Sequence, residues 1–400
     1  MNPDPTFNAV GDVTTPMTTD TAESLSAAAL RERLAAGDPV TLLDVRDRAE
    51  VERWRIEAPS LTRVHVPYVK FVAAGVAGDA TDLLPADVRE PVVVVCPHGA
   101  ASAEVADGLA AAGVDARNLA DGMEGWARLY DRTVVAEGAA TLHQYSRPAS
   151  GCLGYAVVAD GEMAVVDPLR AFVDRYRADA ADLGVDLTYA VDTHVHADHV
   201  SGVRALAAAT GATPVVPRGA VDRGVADAAD VETVRDGDRL PVGETGMTAV
   251  ALPGHTTGMT GFAVGSAGDT DALLTGDSLF LDGVARPDLQ EGADPQTQAR
   301  TLYATLTDRL ARFPDDVLVA PGHADAGVAS DPAVARLGDL RTRLDAFAED
   351  EATFVERTTR GGAEPANAAR IVGINLGTET VDDGTAFELE LGPNNCAAGG

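Results

Sequence analysis

The stretch LTYAVDTHVHADHVSG, residues 187–202, decides how this chain is read. Its first half, LTYAVDT, is a short β-prone run, and a strand is expected there. Its second half places His194, His196, Asp198 and His199 within six consecutive positions, followed by Ser201 and Gly202 leading into a helix. Polar residues at the carboxyl end of a buried strand occupy the place where open α/β sheets carry their sites. Neutral imidazoles and carboxylates are ligands for zinc or iron, but one loop supplies only part of a coordination shell.

Working outward, the same residue types recur at other strand ends: His255 in LPGHT, Asp277 in LLTGD and His323 in APGH. Each follows an apolar run and sits beside a glycine, so five of the eight histidines fall at strand-end turns of one region. A metal site is the expected outcome. This set resembles the metallo-β-lactamase superfamily, which implies an αββα sandwich. Together with PGHTTGMTGF and TGDSLFLDGVARPDLQ, the histidine loop resembles the persulfide dioxygenase branch, close kin of glyoxalase II, and the C-terminal INLG and ELGPNNCAAGG resemble endings of that branch.

The resemblance implies that His194, His255 and Asp277 hold a single Fe(II) per chain, with open positions for O₂ and the sulfur of a small thiol persulfide. Asp198 and His199 would then act in catalysis by orienting water or hydrogen-bonding the ligands. In the hydrolase relatives Asp277 would bridge two zinc ions, with His196, Asp198, His199 and His323 forming the second site and a hydroxide attacking a thioester. The residues alone leave the metal count open. Arg286 matches an arginine placed near substrate in the dioxygenase branch, and reads equally well as one arm of a surface ion pair.

A second chemical signal lies upstream. PVVVVCPHGAASAEVADGLAAAG places Cys96 at a strand end, before a glycine-containing turn and a helix expected from near Ser102. Turn and helix N–H groups would point at the sulfur and stabilise a thiolate or persulfide. With LLDVRDRAEVERW and DGMEGW, this region resembles rhodaneses, which implies that Cys96 carries sulfane sulfur and that His98 and Gly99 line its substrate loop. The common loop arginine is replaced by Ala101, and Pro97 removes one N–H. The sixth residue after Cys96 is Ser102, so the Cys-x₅-Arg loop of the related phosphatases is absent. A docking or sulfur-relay domain beside a structural metal is the reading from a different class. Cys152 and Cys396 have no acid, base or metal partner nearby in sequence and read as structural.

Composition sets the frame. Strands alternating with helices in 400 residues predict α/β architecture in more than one domain. The expected division is a disordered tail over 1–20, a rhodanese-like parallel-sheet domain over 21–133, a connector near Val134–Ala139, a metallo-β-lactamase-fold domain over 139–345, and an extension over 346–400 with little core of its own. A net charge of -31 with Lys70 as the only lysine disfavours nucleic acid and suggests halophilic adaptation. No run is apolar enough for a membrane span and the first residues lack a signal-peptide pattern, so a cytoplasmic protein is expected. Three distant cysteines make a disulfide framework unexpected. A homodimer is left open.

Overall fold

The computed structural model describes residues 21–77, 80–266, 268–324, 332–361, 367–392 and 397. The expected disordered tail and Cys396 lie outside these residues. A five-stranded all-parallel sheet forms first, from Glu23–Leu25, Ala116–Leu119, Val92–Val95, Val40–Asp44 and Leu61–His65 in spatial order. Val92 to Val95 are wholly buried, as befits a central strand covered on both faces. The helix Ala27–Ala35 starts where Ser26 accepts a hydrogen bond from the Ala29 N–H at 3.1 Å, an N-cap readable from the sequence.

Two further sheets stack face to face. One has seven strands, parallel from Glu232–Val234 through Glu162–Val166 and antiparallel from there to Asp131–Glu137. The other has six, running from Arg239–Val242 to Ala335–Arg336. Between them Leu142, Tyr155, Val166, Val191 and Val215 meet Met247, Phe262, Leu274 and Ala320. The outer face of the first sheet packs Met163 and Val165 on Tyr176 and Leu206, and that of the second packs Leu273 and Val319 on Leu302, Leu340 and Phe354. Helix, sheet, sheet, helix is the layering expected from the resemblance.

Three expectations are corrected. The connector near Val134 is an edge strand, Asp131–Glu137, whose register slips between Val134 and Ala136. The bulge explains why its sequence lacks strict alternation. The helix after Cys96 begins at Ala100, which brings Ser102 into its first turn. The run QTQARTLYATLTDRLARF predicts a single helix, but the helix Pro295–Ala304 passes at Thr305–Arg309 into a π turn, where the Thr305 hydroxyl donates to the Pro253 carbonyl at 2.7 Å.

The N-terminal unit meets the rest along a seam. Trp54 donates its indole N–H to the Ala149 carbonyl at 3.0 Å, and Phe387 of the helix Asp383–Leu389 joins the cluster of Leu30, Trp126 and Ala149. Arg147 crosses this seam: its Nε donates to the Ala127 carbonyl at 3.1 Å and its Nη1 lies 2.6 Å from Glu390. The C-terminal extension thus adds its few apolar side chains to cores built by others.

Candidate metal centre

The strand Asp186–Val191 runs into the histidine loop between parallel neighbours. Asp167, at the end of the adjacent strand, ties the loop down. Its carboxylate accepts from the Thr193 N–H at 2.7 Å and the Thr193 hydroxyl at 2.9 Å, and pairs with His196 Nε2 at 3.1 Å. It adopts a left-handed backbone with φ 52°, a conformation that aspartate tolerates and that is held by these three bonds.

Three atoms able to ligate a metal converge. His194 Nε2 lies 3.9 Å and His255 Nε2 3.7 Å from Asp277 Oδ2, and all three side chains are about 1% exposed. Metal–ligand bonds of about 2.0–2.2 Å put neighbouring donor atoms roughly 3–4 Å apart, which is this spacing. Among the described residues, four buried ring or carboxylate atoms, His194 Nε2, Asp277 Oδ2, His196 Nδ1 and His199 Nε2, have no hydrogen-bond partner. The lone pairs of His194 Nε2 and Asp277 Oδ2, buried this deeply, are costly unless a cation meets them.

The tautomers agree. His255 Nδ1 sits 2.8 Å from the Arg286 carbonyl, which can only accept, so the proton is on Nδ1 and Nε2 is bare. The Thr193 hydroxyl gives its hydrogen to Asp167 and accepts from His194 Nδ1 at 2.9 Å, which bares Nε2 there too. Burial, reinforced by the neighbouring His196, holds His194 well below the usual histidine range, and burial lowers His255. Burial opposes ionisation of Asp277, yet His323, His194 and His255 hold it below the usual carboxylate range. Two neutral imidazoles and a carboxylate are the protonation states that metal binding requires.

The glycines next to the ligands have steric reasons. A Cβ at Gly322 would stand 2.5 Å from Asp277 Oδ1, and one at Gly276, with φ 48°, would stand 2.8 Å from Thr193 Oγ1. Each lets a ligand-bearing turn close on its neighbour.

The remaining residues of the expected second site form a different kind of cluster. Asp198 Oδ2 is the common partner of His199 Nδ1 at 2.9 Å, His323 Nε2 at 3.0 Å and the Cys152 thiol at 3.2 Å, and His323 Nδ1 reaches Asp277 Oδ1 at 2.8 Å. Burial works against charging His199 and His323, but Asp198 raises His199, and Asp277 with Asp198 raises His323, each well above the usual range. His196 is opposed by burial and by His199, yet Asp167 raises it to about 9. His196, Asp198 and His199 are close enough to share an ion, and so are Cys152, Asp198 and His323.

Cys152, read as structural from the sequence, is therefore part of this cluster. An antiparallel bridge between Cys152 and His323 sets it there, a contact across 171 positions that no local pattern announces. Of the two readings of Arg286, the surface ion pair is excluded: the residue is buried, 4% exposed, and forked onto Asp288 at 2.7 and 2.8 Å. Its backbone carbonyl orients His255. A cavity of about 400 Å³ borders the histidine loop, lined by His194, Val200, Ser201, Arg204 and Val225 among others.

The cysteine loop forms as expected and with one addition. Cys96 is buried, and its Sγ accepts from the Gly99 N–H at 3.1 Å, with the Ser102 hydroxyl also at 3.1 Å. Gly99 has φ 87° and touches Asp121, where a Cβ would clash at 2.8 Å. His98 points outward and pairs with Glu124 at 3.2 Å, so it does not face the sulfur as a donor. Ser102, the sixth residue after Cys96, thus stands against the sulfur where the related phosphatases carry their loop arginine.

Two family models match the chain: residues 26–129 match the rhodanese-like domain and residues 147–323 the metallo-beta-lactamase superfamily. The human mitochondrial persulfide dioxygenase ETHE1 is 32% identical over 162 residues, 40% of this chain and 59% of that protein. A hydroxyacylglutathione hydrolase of Polaromonas sp. is 36% identical over 170 residues, 41% of this chain and 57% of that protein. The chain thus spans less than two thirds of the length of either relative. A metallo-beta-lactamase crystal structure from Staphylococcus aureus superposes with a TM-score of 0.53 at 25% identity, covering 60% of this chain and 73% of that one. Among the described residues no helix is long and apolar enough to cross a membrane.

Proposed function

Given a chain that joins a rhodanese-like domain to a metallo-beta-lactamase superfamily domain, we propose that it is a thiol persulfide dioxygenase with one iron(II) at His194, His255 and Asp277. The overall conversion is R–S–SH + O₂ + H₂O to R–SH + sulfite + 2 H⁺. Bound at that centre, iron(II) supplies the redox chemistry that lets dioxygen reach a sulfane sulfur.

The observation that carries this reading is the asymmetry between the two clusters. His194 Nε2, His255 Nε2 and Asp277 Oδ2 face one another with no proton between them, whereas His199, His323 and Cys152 donate to Asp198. The ring nitrogens left unpartnered there among the described residues, His196 Nδ1 and His199 Nε2, are on protonated rings. His323 holds Asp277 Oδ1, so that Oδ2 turns to the centre. The Asp198 carboxylate keeps His199 and His323 protonated beside the site, placed to hydrogen-bond water and a departing thiol. The likeness to the human persulfide dioxygenase supports the same activity. The likeness to a hydroxyacylglutathione hydrolase supports the second reading, a thioester hydrolase with two zinc ions.

Metal analysis of aerobically purified protein, followed by O₂ uptake on a thiol persulfide, separates the two. One iron per chain with uptake and sulfite release is expected. Two zinc ions per chain without uptake would reject the dioxygenase. In the N-terminal unit Cys96 accepts sulfane sulfur from a donor and passes it to a small thiol. Cys96→Ser is expected to abolish sulfur transfer from thiosulfate to a small thiol while leaving O₂ uptake on preformed persulfide unchanged.

A further inference from the structure

The histidine loop owes much of its shape to a residue far from it in sequence. Asn375 ends the helix Ala368–Asn375, and its carboxamide makes three bonds to the loop. Nδ2 donates to the His196 and His199 carbonyls, both at 2.9 Å, and Oδ1 accepts from the Ser201 N–H at 2.9 Å. These attachment points bracket Ala197 and Asp198 and follow directly after His194 and Val195. We infer that Asn375 is a positioning residue for the metal centre, holding the turn between His196 and Ser201 in the shape that presents His194, Asp198 and His199 inward.

The side-chain chemistry fits this role. Two converging carbonyls need two hydrogens from one nitrogen, and the adjacent N–H needs an acceptor. Only a primary amide provides both, and Asn reaches with one carbon fewer than Gln. Aspartate would keep the acceptor but set an oxygen against two carbonyls. The helix itself is anchored by packing: Val372 and Leu376 lie on a cluster of Val195, Val216, Ala220 and Val225, and Val195 belongs to the loop. The Ala226 N–H donates to the Leu376 carbonyl at 2.8 Å, which closes the helix end against the same region. Apolar docking thus sets the helix, and Asn375 converts that docking into backbone geometry around the ligands. The inference requires that the centre bind a divalent metal, not that it oxidise persulfides.

Cobalt(II) is a suitable probe because its visible absorption reports ligand geometry. The full-length chain, Asn375→Ala, Asn375→Asp and a control, Asn367→Ala, are loaded with cobalt(II), and metal release to a chelator is timed. The control removes the bond from Asn367 Nδ2 to the Leu389 carbonyl, 2.8 Å long, in the same C-terminal segment but away from the loop. Outer partners of metal ligands typically contribute about 10–100-fold in metal affinity. Release from Asn375→Ala is expected to quicken by about that factor, with an altered visible spectrum, and Asn375→Asp to be affected at least as much. Asn367→Ala should lower the melting temperature while retaining cobalt as the parent does.

Parent-like release and spectrum in Asn375→Ala would overturn the inference. Equal acceleration in Asn367→Ala would overturn it as well, since general loosening would then explain both. If Asn375→Ala does not fold, the comparison of Asn375→Asp with Asn367→Ala decides on the same readouts. A parent chain that binds no cobalt would sink the metal centre itself, an outcome separate from the failure of Asn375.

Discussion

Asp277→Asn is expected to yield a folded chain that holds no iron and takes up no O₂. The asparagine is nearly isosteric, so the turn at Gly276 and the packing between the sheets are retained. What disappears is the negative charge between His194 and His255, at 3.9 and 3.7 Å, and the strong acceptor for His323 at 2.8 Å. A neutral amide in place of an anionic ligand binds a hard dication far less well, and the loss should exceed the about 10–100-fold attributed to outer partners alone. Iron content and O₂ uptake measured on the same sample check this, with circular dichroism to establish folding. Retention of one iron per chain would move the metal elsewhere.

The second large effect concerns stability. Arg147 and Glu390 form an ion pair whose side chains are 0% and 1% exposed, 2.6 Å apart, and the other Glu390 oxygen accepts from the Val200 N–H at 2.9 Å. Glu390→Gln leaves the Arg147 guanidinium buried without a counter-charge, which costs about 3–5 kcal/mol in comparable pairs. Replacing both residues, as in Arg147→Met with Glu390→Leu, should recover only part of that loss, because an apolar pair avoids the desolvation of two charges but leaves the Val200 N–H and the Ala127 carbonyl without these partners. Urea unfolding of the three proteins measures it. A single-variant loss under about 1 kcal/mol would show that solvent reaches the pair.

The legible part of the site follows a rule of local chemistry. His194, His196, Asp198 and His199 crowd the turn after one apolar run, and His255, Asp277 and His323 each follow another, so the sequence itself marks them as strand-end polar groups. Gly276 and Gly322 reinforce the signal because only a missing Cβ lets those turns meet. Asp167, Cys152, Asn375 and Glu390 were not legible. Each reaches the centre through pairing or packing of elements remote in sequence, and a lone Asn at a helix end resembles many others.

The choice between the two readings of Arg286 was not legible for a related reason, since a charged side chain in a loop says nothing about whether the loop is covered. The strand Asp131–Glu137 escaped notice because a bulged edge strand satisfies no simple alternation. Fold class survived these misses because it depends on the repeated succession of strand and helix, which many residues encode together.

Trp54, which donates its indole N–H to Ala149 across the seam, is one of only two tryptophans, and the other, Trp126, is buried in the same N-terminal unit. Tryptophan fluorescence therefore watches one half of the molecule and its junction, and is blind to the interior of the other. An emission change that precedes loss of helical signal on heating would record the two halves parting before either melts.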